Sequence, residues 1–207
     1  MAMPAWVSEV GVAATVAVAG LAVWGERLRA TILRPRLQLQ LRNYGGELTQ
    51  QVETDAQGTI TRISPARYYH LRITNGTRFP AAHEVQVFLT RIERPGPNGE
   101  AQAFYETELP LTWTLSQLYP DLRRTIGHST VALAGLFFVR SDRLQLLPVL
   151  VPNNMQNIFQ PDAHFWVTMV ARGIDGESNT LRLKIDWDGQ WDPGEAEMRR
   201  HLVISNA

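Results

Sequence analysis

The sequence predicts a mainly β protein, a β-sandwich preceded by one N-terminal transmembrane helix. Three observations carry that expectation. From Leu37 onward, apolar and polar residues alternate with period two, not 3.6. Clusters of Gly, Pro and Asn cut these runs into short segments. Ahead of them, Val10 to Gly25 is an uncharged run of Val, Ala, Gly and Leu with one Thr and one Trp.

That run comes first. Taken with Ala5 to Ser8 it gives roughly twenty residues broken only by Glu9, about the length of a bilayer span. Trp6 and Trp24 stand at its ends, and at ~1.5 Å per residue they lie ~27 Å apart, the separation of two interfacial aromatic belts. Arg27, Arg29, Arg34 and Arg36 follow the run and no Lys or Arg precedes it. The positive-inside rule therefore places the N-terminus outside and the rest of the chain in the cytoplasm. The same arginines suit anionic lipid headgroups. Residues 1–36 are thus expected to form the transmembrane helix and a basic juxtamembrane segment, and 37–207 the β-sandwich domain, at a bacterial inner membrane. Of the 20 basic residues only Lys184 is lysine, a bias that fits GC-rich bacterial coding.

Three other readings of the run stand beside the anchor. Ala17-Val18-Ala19 has the small-x-small form of a signal-peptide cleavage site, although no positive charge precedes the apolar stretch. An Ala- and Gly-rich helix can also be buried in the soluble domain. Gly11, Thr15 and Ala19 form a small-residue stripe that suits close helix–helix packing, in a membrane or outside one.

The strands follow in order. Leu37, Leu39 and Leu41 alternate with Gln38, Gln40 and Arg42. Residues 45–58 read as a polar excursion with a small hairpin closing at Gly58-Thr59-Ile60. In Tyr68 to Asn75, Tyr69, Leu71 and Ile73 share one face. Val85, Val87 and Leu89 mark another strand, and Phe165, Val167 and Met169 a further one. Leu181, Leu183, Ile185 and Trp187 alternate with Arg182, Lys184 and Asp186 most regularly of all. Asn75-Gly76, Pro95 to Gly99, Asp175-Gly176 and Asp188-Gly189 are the turns, the last read as a type I′ hairpin. Ser116 to Ile126 is expected to hold a short helix interrupted by Pro120. Many short strands with turns between them bury their apolar faces best as two packed sheets.

Tyr69-His70-Leu71-Arg72-Ile73-Thr74-Asn75 and Ala82 to Leu89 together resemble a strand pair of immunoglobulin-like bacterial domains. The longer stretch Tyr68 to Gly99 is similar to one found in uncharacterised bacterial proteins that carry an N-terminal hydrophobic helix. The resemblance implies an immunoglobulin-like topology for the sandwich. It implies no activity, and no functional residue is carried over from it.

Composition narrows the function. The chain has 207 residues, 20 basic and 20 acidic, so it lacks the basic excess of a nucleic-acid binder. With no cysteine there is no disulfide framework, thiolate metal site or cysteine nucleophile. Nor does the sequence contain Gly-x-Ser-x-Gly, a phosphate loop or a dinucleotide fingerprint.

Asp186, Asp188, Asp192, Glu195 and Glu197 form the most suggestive acidic cluster, but a calcium loop needs Gly and an oxygen ligand where Trp191 and Gln190 stand. His70, His83, His128, His164 and His201 contain no zinc-binding spacing. Asp162 and His164 lie two residues apart, on the same side of an extended chain. Among the aromatics, Trp113, Trp166, Trp187 and Trp191 with Phe104 and Tyr105 suit either a core or a carbohydrate or peptide groove. Trp187 is core by its periodicity, and Trp191 is the candidate exposed binding aromatic. Asn75-Gly76-Thr77 matches a glycosylation sequon, though a turn explains it more simply.

The expectation is a membrane-anchored binding or scaffolding module without catalytic activity, metal or cofactor. Its partner is a protein or a second copy of the chain. The alternatives are an exported sandwich that binds an envelope ligand or glycan, and a hydrolase with a site around Asp162 and His164.

Overall fold

The computed structural model describes residues 34–76, 79–114, 122–152, 155 and 162–207, so the expected N-terminal helix lies outside the described residues. Among the described residues, no helix is long and apolar enough to cross a membrane.

Two antiparallel sheets face each other across one core. The first contains β1 (Leu37–Leu41), β2 (Glu47–Thr54), β3 (Ile60–Asn75), β7 (Val131–Arg140) and β8 (Arg143–Leu146). β1 and β2 lie end to end along the same edge of β3, and β7 then β8 follow on its other side. The second sheet runs β12 (Leu202–Asn206), β11 (Leu181–Trp187), β9 (Ala163–Gly173), β4 (Ala82–Pro95), β5 (Ala101–Pro110). Two short strands extend it, β6 (Arg124–Ile126) on β4 and β10 (Gly176–Glu177) on β9. One helix, α1 (Glu195–His201), links β11 to β12.

The alternation read in the sequence sets the inner faces. Leu37, Leu39 and Leu41 of β1 and Tyr69, Leu71 and Ile73 of β3 point inward from the first sheet. Val85, Val87 and Leu89, then Phe165, Val167 and Met169, then Leu181, Leu183, Ile185 and Trp187 meet them from the second. Each such side chain contributes about 1.5–3 kcal/mol when fully buried. Tyr69 stacks on Phe137 with ring centroids 4.5 Å apart. Opposite Tyr69 and His70 the register skips Leu136, a bulge that adds an inward-pointing residue to β7.

Several expectations change. Of the short helix expected within residues 116–126, positions 116–121 lie outside the described residues, and Arg124–Ile126 is a strand paired with β4. Asp188-Gly189 is not a type I′ hairpin, because only Gly189 has positive φ, at 85°. Instead the Asp188 carboxylate accepts the Gln190 amide at 2.8 Å, and the chain turns into α1 rather than directly into a strand. Asn75 is buried: its side chain donates to the Pro80 carbonyl at 2.6 Å and accepts the Arg36 amide at 3.1 Å. Those bonds tie the end of β3 to the loop beyond it and leave the amide no freedom to act as an acceptor for glycan.

Candidate functional site

The anchor residues Trp6, Trp24, Arg27 and Arg29 lie outside the described residues. Arg34 and Pro35, the first residues described, line one end of the sandwich beside the β9–β10 turn. β1 leaves that end and β2 carries the chain toward the other, where the candidate features gather.

At that far end the structure brings together residues that the sequence keeps apart. Register pairs Asp186 of β11 with His164 of β9. The His164 ring faces Asp186 Oδ1 through Nδ1 at 2.9 Å and Asp162 Oδ1 through Nε2 at 3.2 Å. Lys184 Nζ reaches Asp186 Oδ2 at 2.9 Å. Partial burial alone would raise the Asp186 pKa, but the bonds from Lys184 and His164 hold the carboxyl below its ordinary value. Both nitrogens of His164 therefore face carboxylates, and Asp162 and His164 are open to solvent.

The rest of the acidic cluster is divided among separate partners. Asp188 pairs with His201 at 2.8 Å, Glu195 with Arg199 at 2.7 Å and Glu197 with Arg200 at 2.8 Å, while Asp192 accepts the Gly194 amide. Among the described residues, no three His, Asp or Glu side chains are placed to share a metal ion.

Trp191 is half-buried and packs against the core, with its indole Nε1 buried and unpartnered. The segment that carries it is held to the first sheet by the bond from Arg67 to the Pro193 carbonyl at 2.6 Å. Trp187 is fully buried and donates to the Gln190 carbonyl at 2.7 Å. Trp113 is buried as well, whereas Trp166 stands on the outer face of the second sheet between Arg182 and Lys184. Phe104 is exposed, with the Arg94 guanidinium 4.3 Å from its ring centre.

The small hairpin read at Gly58-Thr59-Ile60 is the β2–β3 hairpin; what the sequence did not signal is how far it projects and the apolar face it carries. β7 pairs with β3 only from Arg67 onward, so residues 60–66 of β3 outrun it, about 20 Å of strand at ~3.3 Å per residue. Val52 lies opposite Ile63, and a bulge at Thr61 brings Ile60 opposite Thr54. Leu48, Val52, Ile60 and Ile63 thereby share one face. It is the face that Arg67 and Tyr69 turn toward the core further along β3. All four are about half exposed, between 49% and 57%.

Charges pin this arm near its turn, at the far end of β2. The nearly inaccessible Arg140 guanidinium bonds Glu53 on β2 and Asp142 in the β7–β8 turn, and Arg143 reaches Glu53 at 3.1 Å. The Arg140 bonds hold both carboxyls below their usual range. Along its other edge β2 has no strand neighbour among the described residues, which leaves backbone groups there for pairing.

No protein-family model matches this chain, and comparisons with curated proteins and with solved structures found no significant match.

Proposed function

We propose that the chain is a single-pass bacterial inner-membrane protein, N-out and C-in, whose immunoglobulin-like sandwich acts in the cytoplasm as a binding or scaffolding module without catalytic activity. The tether is the apolar run from Val10 to Gly25 with Trp6 and Trp24 at its ends and Arg27 and Arg29 behind it. The observation that carries the binding role is the projecting β2–β3 hairpin with its half-exposed apolar face. A pinned arm with an open edge and four aliphatic side chains suits strand addition by a protein partner, with main-chain bonds supplying affinity and the aliphatic face selectivity. The Asp162–His164–Asp186 cluster fits this reading as a solvent-open polar network on the sheet surface, tied down by Lys184.

Photo-crosslinking in cells tests the reading. A photoreactive residue at Val52 should give a discrete adduct, and one at Val203, equally exposed on β12, should not. Adducts identical at both positions, or none at Val52, would overturn it.

A further inference from the structure

The outer face of the first sheet carries a groove of about 570 Å³, within the roughly 300–1,000 Å³ of small-ligand sites. One bank is Tyr68 and His70 of β3 with Glu47 of β2. The other is the segment Thr112–Thr114, which joins the sheet beside β7 through Gly135 N–Thr112 O at 2.8 Å and Thr114 N–Leu133 O at 2.9 Å, with Leu147 next to it. Gly135 lies between the banks, opposite His70 in the register, and having no side chain it forms the floor. A Cβ there would come within 2.9 Å of Leu147 Cδ1 and 3.5 Å of Thr112 Oγ1.

Two polar atoms of the lining are buried and have no hydrogen-bond partner, His70 Nδ1 and Thr114 Oγ1. The nearest acid to His70, Glu47, stands 3.8 Å away, beyond hydrogen-bond reach, and is itself held by Arg42 at 2.7 Å. Burial keeps the imidazole below the ordinary histidine range, so near neutral pH it is uncharged, with one nitrogen to donate and one to accept.

The chemistry of the walls selects a ligand class. Among the described residues no Lys or Arg lines the groove and its one carboxylate is Glu47, so it offers no cationic side chain to hold phosphate or another anion. The one carboxylate is already neutralised by Arg42, which disfavours a cation. Threonine hydroxyls and an imidazole beside Leu147 and the Tyr68 ring ask for a molecule that is polar around its rim and apolar on its face. We infer that the groove binds a neutral pyranose sugar, its hydroxyls taking up His70 and Thr114 and its C–H face lying against Tyr68 and Leu147. The groove opens on the opposite face of the first sheet from the aliphatic side chains of the hairpin, with Leu48 bordering both, and does not depend on the tether.

The test is saturation-transfer NMR on the full chain in a detergent without a sugar headgroup. D-glucose, D-galactose and N-acetyl-D-glucosamine are offered separately. Transfer to the ring protons of at least one sugar is expected. Gly135→Val should weaken that sugar by about tenfold or more by filling the floor, and Thr114→Val by about fivefold by removing one hydrogen bond. Lys184→Gln, on the second sheet, should leave it unchanged. If Gly135→Val fails to fold, Thr114→Val carries the test. No transfer to any of the three sugars, as expected if the groove holds only water, overturns the inference. So does binding that both groove variants leave intact.

Discussion

The carboxamide of Asn179 bonds both backbone groups of Leu39, accepting its N–H at 2.8 Å and donating to its carbonyl at 3.0 Å. Leu39 lies on β1 opposite Ile73, and because the even-numbered residues bond β3, as in Gly76 N–Arg36 O and Arg42 N–His70 O, its own two groups point away from β3. One side chain from the β10–β11 connection thus replaces a missing strand and closes the edge of the first sheet against the second.

Asn179→Ala should lower stability by about 1–3 kcal/mol, because it leaves the two Leu39 groups without partners. Chemical denaturation measures the loss. Hydrogen exchange should localise it, with the Leu39 amide losing protection before those of β11.

Arg67 performs a similar closure with a charge. It is buried, and its guanidinium donates to the Gly45 carbonyl at 2.9 Å and the Pro193 carbonyl at 2.6 Å. The Gly46 backbone has φ of 65°, and a Cβ there would meet Arg67 Cγ at 2.7 Å. Arg67→Met should therefore destabilise by about 1–3 kcal/mol through the orphaned carbonyls. Gly46→Ala should also destabilise, through the strained φ and that clash. Thermal unfolding of both variants checks this, each melting below the wild type.

These two closures show where the sequence stops being legible. β1 and β11 declare themselves by alternation because one face of each is buried and the other is wet. β7 does not: Phe138 and Arg140 are buried on its outer face as Leu136 and Phe137 are on the inner one, so its apolar run has no period. β2 reads as a polar excursion because it projects. α1 has only Met198 buried, too little for an amphipathic stripe. The Asp162–His164 pairing is readable at i, i+2, but Asp186 joins it only through cross-strand register. The groove is hidden for a different reason, since its floor is a missing side chain at Gly135.

Acid should destabilise the fold in two stages. Burial holds His70 below its ordinary pKa, so the unfolded chain takes up a proton there before the folded one does. The stability this gives is complete above about pH 6.5 and is lost as pH falls through the lower folded value. Glu53, Asp142, Asp186 and Asp188 are held low in the same sense, so their contribution is lost below about pH 4. Urea midpoints between pH 8 and 3 should fall in both ranges. His70→Gln should flatten the upper one alone.

The hairpin face should be dispensable for folding. Val52→Arg and Ile63→Arg place charge on half-exposed positions, and each should change stability by no more than about 0.5 kcal/mol. Each should also abolish the crosslink from a neighbouring photoreactive residue at Leu48. Urea denaturation and the crosslink, read on the same variants, separate the two effects.

The most direct measurement of the tethered binding module is topology read together with fractionation. A dual reporter fused after Ala207 distinguishes cytoplasm from periplasm, and a carbonate wash distinguishes integral from peripheral protein. A carbonate-resistant protein with a cytoplasmic C-terminus is the predicted result. A soluble periplasmic product beginning near Gly20 would contradict it.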